Sequence, residues 1–166
     1  MEKNLNSKEA IEKLQGLVKN IGACMFFTNT AAGIHNARPM AVIDVDVNGT
    51  LWFFTSKSSH KVLDIEKDNN VHLVFANPSK DSYLDIRGRA SLEEDRASIE
   101  EKWNPIIKAW FPEGKTDPEL CLLKVKTDEA HYWDTNTTKM VEMLKVVTSI
   151  VKGKKLNEGV HGDLLV

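Results

Sequence analysis

Short runs of β-branched and aromatic residues follow one another from residue 23 to residue 92, and they constrain this chain more than any other feature. Ala23-Cys24-Met25-Phe26-Phe27-Thr28, then residues 38–47, then Thr50-Leu51-Trp52-Phe53-Phe54-Thr55 have the composition of strands. Asn48-Gly49, between the second and third runs, predicts a type I′ hairpin turn, because both central residues then need positive φ. The looser stretch 30–36 joins the first two runs in the same antiparallel manner. Further strands are predicted over 71–76 and 83–92, separated by Asn77-Pro78-Ser79-Lys80-Asp81, and over 120–125 and 130–133 as a pair around Thr127-Asp128. Each strand carries unpaired backbone donors and acceptors along its edges. A small closed or split β-barrel hides so many edges at once.

Helices punctuate the strands. Ile11, Leu14, Leu17, Val18 and Ile21 recur at helical spacing, with Asn6 as N-cap and Glu9 three residues later, which predicts an amphipathic helix over 6–20. A short helix is expected over 60–68 and another over 93–102. Asn104-Pro105 restarts a helix, and Phe111-Pro112-Glu113-Gly114 stops it. Ile99, Trp103, Ile106 and Trp110 then share one face, read as core packing. A closing helix is predicted over 137–151. No repeat or linker divides the chain, so residues 1–166 read as one domain that includes the C-terminal helix and tail, 137–166. The order of elements predicts an α+β fold, a mostly antiparallel split β-barrel of six or seven strands with flanking helices, and not a βαβ sheet.

Charge and cysteine usage narrow the function. With 22 Lys and Arg against 24 Asp and Glu, the net charge is -2, so no global positive field exists for nucleic acid and any anion site must be local. No apolar run approaches the roughly 18 residues of a membrane span, and the first residues lack a hydrophobic core of a signal peptide; the expectation is a cytoplasmic protein without membrane partners. Cys24 and Cys121 lie far apart among apolar residues and read as reduced core thiols. His35, His60, His72, His131 and His161 form no His-x-His or His-Glu-x-x-His pattern, so no metal site is expected, and His72 reads as structural. Asp44 and Asp46 read as a solvated strand face. The Gly-x-Gly-x-x-Gly fingerprint of the commonest dinucleotide fold is absent.

One segment carries chemistry. In Phe54-Thr55-Ser56-Lys57-Ser58-Ser59-His60-Lys61 a strand ends in hydroxyls and cations just where a helix begins. Helix N-terminal N–H groups carry partial positive charge, so with the hydroxyls of Thr55, Ser56 and Ser59, and with Lys57, His60 and Lys61, they can surround a phosphate dianion. Without a ligand the same residues are a solvated strand-to-helix turn capped by Ser58 or Ser59. Arg38, one strand earlier, adds a cation to the same barrel mouth, and Pro39 beside it limits ladder pairing there.

Arg38-Pro39-Met40, the run from Trp52 through Lys61, Tyr83-Leu84-Asp85-Ile86-Arg87-Gly88-Arg89-Ala90, Tyr132-Trp133-Asp134, Gly153-Lys154-Lys155 and Glu158-Gly159-Val160-His161-Gly162 together resemble the flavin-binding split barrels related to pyridoxamine 5′-phosphate oxidase, and among them the general stress protein 26-like group. The resemblance implies a homodimer with two FMN molecules at the subunit interface, FAD being the alternative cofactor. By position it would set Arg38, Pro39 and Met40 beside the isoalloxazine ring and ribityl chain. Phe54 and Thr55 would meet the ring through backbone and hydroxyl, and His60 and Lys61 would hold the phosphate. Tyr83 falls where the oxidases place a Gln near the flavin, and Trp133 where a Trp reaches it across the dimer. Two departures stand out. Lys139-Met140-Val141 occupies the place of the oxidases' substrate-gripping Arg-x-His, and His60 replaces the Arg that usually precedes the phosphate Lys. The resemblance therefore implies flavin binding without vitamin B6 oxidation, and it assigns no catalytic residue. Three readings follow: a flavin-dependent oxidoreductase on an unidentified small molecule, a non-catalytic stress protein that sequesters or senses flavin, and a cofactor-free split-barrel dimer.

Overall fold

In a computed structural model of the chain, which describes residues 5–30, 32–33, 35–135 and 160–165, the strand-forming runs join one curled sheet. Its described strands are β1 (Leu5–Asn6), β2 (Ala23–Asn29), β3 (His35–Ala41), β4 (Asp44–Val45), β5 (Leu51–Ser56), β6 (Asn70–Asn77), β7 (Ser82–Glu93), β8 (Leu120–Asp134) and β9 (Val160–Leu165). The pairing is antiparallel throughout except between β1 and β9. The run predicted as one strand over 38–47 bends at Val42 and Ile43, so that β3 pairs with β2 and β4 pairs with β5. Val42 N–H donates to the Gly22 carbonyl at 3.0 Å and Ile43 N–H to the Trp52 carbonyl at 2.9 Å, which holds the bend. The circuit β2–β6–β7–β8–β5–β4 closes through that bend, giving the expected α+β split barrel. The expected closing helix over 137–151, the Lys139-Met140-Val141 stretch and the basic run at 152–155 lie outside the described residues.

Two connections differ from their sequence reading. The chain reverses at Asn48-Gly49, but only Gly49 takes positive φ, at 75°. Gly49 N–H donates to the Asp46 carbonyl at 3.0 Å, and Asp46 N–H to the Thr50 carbonyl at 3.0 Å: a type I turn closed by a left-handed glycine, in place of type I′. The Asp46 carboxylate selects it, accepting from the N–H groups of Asn48 at 2.9 Å and Thr50 at 3.0 Å and from Trp52 Nε1 at 3.1 Å. The second difference is that residues 120–134 form a single strand. Arg87 lies opposite Glu129 and Gly88 opposite Thr127, which leaves Asp128 as the extra residue of a β-bulge. Inward-facing positions therefore change from Leu123, Val125 and Thr127 to Ala130 and Tyr132, and Trp133 is turned outward.

Two cores flank the sheet. Helix α1 (Ser7–Ile21) lays Ala10, Leu14, Leu17 and Val18 onto the barrel interior, against residues that include Phe26, Phe53, Leu73, Phe75 and Ile86. Outside β5 and β8, Ile99 of α3 (Arg96–Lys102) joins Phe111, Leu120 and Leu122, with Phe54 and Trp103 packed beside them. The helix restarted by Asn104 is a 3-10 helix, Pro105–Ala109, whose first turn Asn104 caps by accepting from Ile106 N–H at 3.1 Å. Three residues per turn, and the break before it, take the later positions off the face of α3. Ile106 and Trp110 are accordingly 68% and 69% exposed, not core as expected. Both cysteines are buried free thiols, and burial pushes Cys24 up to about 12 and Cys121 up to about 11. Among the described residues no helix is long and apolar enough to cross a membrane.

Candidate functional site: a two-cation rim at the barrel mouth

The apolar interior ends at Phe26, Met40 and Phe53, and the next inward position on each strand is polar: Thr28 on β2, Arg38 on β3 and Thr55 on β5. Helix α2 (His60–Lys67) closes this mouth, burying Val62 and Ile65 below and placing Lys61 and Asp64 over the polar positions. Lys61 Nζ donates to Thr55 Oγ1 at 2.8 Å, and Ser59 Oγ lies 3.4 Å from the same oxygen. Arg38 Nη1 donates to Thr28 Oγ1 at 2.7 Å, and the Thr28 hydroxyl donates to Asp64 Oδ2 at 2.8 Å. Asp64 Oδ2 also accepts from Asn36 Nδ2 at 3.4 Å and lies 3.9 Å from Arg38 Nη2.

The electrostatics are those of a site short of negative charge. Lys61 titrates below the ordinary lysine range, first because it is half-buried and then because Arg38 repels it. Arg38 is lowered by burial as well, against the pull of Asp64. Two desolvated cations thus stand near each other, Arg38 drawn by Asp64 and Lys61 held by the Thr55 hydroxyl, and an anion placed between them would relieve both. Ser59 is the N-cap of α2 with φ -70° and ψ 145°, but its hydroxyl makes no cap hydrogen bond and faces Thr55 instead. The N–H groups of the first helical residues, His60 and Lys61, have no intrahelical acceptor by the geometry of any helix start.

The structure sorts the residues expected in the site. Arg38, Thr55, Ser59 and Lys61 come together at the rim, and His60 is exposed at the helix start beside them. Ser56 and Lys57 do not join: Ser56 Oγ donates to Glu119 Oε2 at 2.8 Å, and Lys57 pairs with Glu94 at 2.5 Å. Strand alternation puts Ser56 on the face opposite Thr55. Ser58 N–H donates to the same Glu119 oxygen at 3.0 Å, and the bonds from Ser58 and Ser56 hold that carboxyl below its usual range. The Phe54 side chain also faces away from Thr55, edge-on to Trp103 at 5.9 Å, while Met40 is buried in the main core. Pro39 is exposed on the outer face opposite Met25.

Tyr83 and Trp133 are cross-strand partners on that same outer face, 37% and 43% exposed, and β8 stands four places from β3 in the strand order. Beside them His131 meets Trp133 edge-on at 4.4 Å and pairs with Asp163 at 2.5 Å; His72 pairs with Asp85 at 2.5 Å and stacks on Phe27, as its structural reading requires. Two rim residues were missed. Thr28 is the last inward position of its strand, and Asp64 follows Lys61 by three on the same helix face; both relations are visible in the sequence once the strand and helix are placed. Among the described residues no group of three His, Cys, Asp or Glu is placed to hold a metal ion.

Residues 9–157 match the profile of the family described as pyridoxamine 5′-phosphate oxidase like. Among curated proteins, Protein bli-3 of Neurospora crassa is 26% identical over 147 residues, covering 83% of this chain and 70% of that protein. General stress protein 26 of Bacillus subtilis is 29% identical over 83 residues, 48% of this chain and 59% of its own length. The crystal structure of the general stress FMN/FAD binding protein from the phytopathogen Xanthomonas citri is 32% identical, with a TM-score of 0.67, covering 79% of this chain and 92% of that one.

Proposed function

The chain belongs to the pyridoxamine 5′-phosphate oxidase-like family, and on that premise we propose that it is a flavin-binding general stress protein whose barrel rim takes the phosphate of FMN. The observation that carries this reading is the pairing of Arg38 with Lys61: two half-buried cations, both lowered by burial, beside the hydroxyls of Thr55 and Ser59. A phosphate monoester supplies the matching charge of about -1.5 to -2 and several strong acceptor oxygens. A diester phosphate carries less charge per group, so FMN is the first expectation and FAD the alternative. In this reading Lys61 and Arg38 bind and orient the phosphate, and His60 adds a donor at the helix start. The likeness to a protein described as FMN/FAD binding supports the choice of ligand.

When bound, the flavin supplies the redox chemistry, and the protein supplies position and electrostatics. Tyr83 and Trp133 lie on the outer face, whereas Arg38 occupies an inward position of the rim. A second copy would bring them to it, so the reading includes a homodimer with flavin at the interface and a cytoplasmic address. An oxidoreductase on an unidentified small molecule remains the catalytic form of the proposal. The binding-only form is favoured by Asp64, which is already engaged by Thr28, Asn36 and Arg38 and so is not free for acid/base work.

Equilibrium dialysis against FMN tests the cofactor assignment, with the visible spectrum of the retained protein as readout. Wild type should retain flavin, Lys61→Ala should retain far less, and His60→Ala should lose affinity modestly. No uptake by wild type would end the cofactor assignment. Dithionite-reduced holoprotein that reoxidises no faster than free FMN would leave the binding-only form, and turnover of pyridoxamine phosphate would refute the expectation of no vitamin B6 oxidation.

A further inference from the structure

We infer that Thr28 and Asp64 are positioning residues for Arg38, a role that rests on the phosphate reading of the rim and adds two residues to it. The geometry allows one arrangement of protons. A guanidinium can only donate and an ionised carboxylate can only accept, so the Thr28 hydroxyl between them must accept from Arg38 and donate to Asp64. Its orientation is set at both ends. Thr28 is fully buried, which leaves it no water to exchange these partners for. Asp64 lies 3.9 Å from Arg38 Nη2, an ion-pair distance beyond hydrogen-bond reach, so its hold on the guanidinium combines direct charge attraction with the hydrogen bonds through the threonine.

The arrangement has a purpose at an anion site. Arg38 stands on an edge strand with a long side chain, and unrestrained it would sample many rotamers and lose that freedom on each binding event. Lys61 and Asp64 are three residues apart on one helix face, so α2 aims both cations: Lys61 directly, and Arg38 through Asp64 and Thr28. Asn29 Nδ2 donates to Asp68 Oδ2 at 2.8 Å one turn further on, which fixes α2 to β2 a second time. The charged groups facing Arg38 are then Lys61 from α2 and Asp64 from the same helix, one repelling and one attracting.

The decisive variant is charge-neutral. Thr28→Val keeps shape and leaves Asp64 ionised but removes the hydroxyl, and Thr28→Ser restores it. FMN affinity, read by fluorescence quenching, should fall about tenfold in Thr28→Val and return to within about threefold of wild type in Thr28→Ser. Asp64→Ala, which removes the oxygen that accepts from Thr28, should free the Arg38 guanidinium in the ligand-free protein, and Asp64→Asn, which keeps an acceptor, should leave it held. Riboflavin, which lacks the phosphate, should bind all of them alike. In the ligand-free protein, NMR of the Arg38 guanidinium should show restricted rotation in wild type and free rotation in Thr28→Val. Equal losses for FMN and riboflavin, an FMN affinity unchanged or raised by Thr28→Val, or an Arg38 signal indifferent to that change would each overturn the inference. If wild type binds no FMN, the phosphate reading fails, and the Arg38 resonances alone decide whether Thr28 and Asp64 position it.

Discussion

Gly88 is the position where one added methyl group should do most harm. An alanine Cβ there would stand 2.3 Å from the Lys126 carbonyl oxygen and 3.1 Å from both its carbon and Val125 Cγ1. The obstacle is backbone, which cannot swing aside, so β7 and β8 must part by about 1 Å beside the bulge. Overpacking of this kind costs about 1–3 kcal/mol, and one or two weakened ladder hydrogen bonds add about 1 kcal/mol each. The expected loss for Gly88→Ala is about 3 kcal/mol, which for a chain of this size lowers Tm by about 6–12 °C. Thermal unfolding followed by far-ultraviolet circular dichroism measures it. Gly16→Ala is the matched control: it lies on the exposed face of α1 with nothing within 4 Å of the added Cβ. That change should raise stability by about 0.5–1 kcal/mol through helix propensity. A Gly88→Ala melt within about 2 °C of wild type would mean the strands separate easily at the bulge, and the steric reasoning would be wrong.

If the rim takes the FMN phosphate, Lys61 should set the alkaline limit of binding. Its folded pKa is lowered, so FMN affinity should fall as pH rises through a value below the ordinary ~10.4, and Lys61→Arg should remove that fall; a midpoint at or above the ordinary value would refute it. The sign for the ligand-free fold follows from the same shift: between the two pKa values the unfolded chain holds the proton more tightly, so the destabilising charged lysine is relieved as pH rises through that window. Glu119 is lowered by its bonds from Ser58 and Ser56, so its support of the β5–α2 loop is present at neutral pH and lost as pH falls through its folded value. Faster amide exchange at Ser58 in Glu119→Gln at neutral pH checks it, and unchanged exchange would count against it. If two copies meet across the outer face, Tyr83→Glu combined with Trp133→Glu should convert a sedimenting dimer to monomer while Tm stays within about 3 °C, because both side chains are partly exposed; a persistent dimer would place the interface elsewhere.

Strand composition made most of the barrel legible, because alternation of apolar side chains survives any detail of the turns. The turns themselves were less so. At Asn48-Gly49 the glycine announces a reversal, but the turn type is chosen by the Asp46 carboxylate, which competes for the N–H groups of Asn48 and Thr50. At Thr127-Asp128 the apolar alternation changes phase, which a hairpin and a bulge produce alike; only the pairing partner Gly88 separates them. The rim was legible in Thr55, Ser59, Lys61 and Arg38, since helix start and strand mouth bring hydroxyls and cations together. Lys57 was misplaced because its partner, Glu94, lies 37 residues away, and Ser56 because Glu119 lies 63 residues away. No local pattern signals such partners.

One edge of β8 is divided between two strands: β5 pairs with residues 120–125 and β9 with residues 130–134. The bulge falls in the gap between them, and there Thr127 donates to the Gly49 carbonyl at 3.0 Å. The barrel is thus two modules on a common spine. The two-cation rim is built on β2, β3, β5 and α2, whereas Trp133 and the β9 segment occupy the far module. Sequence change in β9 can remodel the surroundings of the exposed aromatic pair while leaving the cation rim as it stands. Such an architecture lets one end of the barrel change while the two-cation end keeps its geometry.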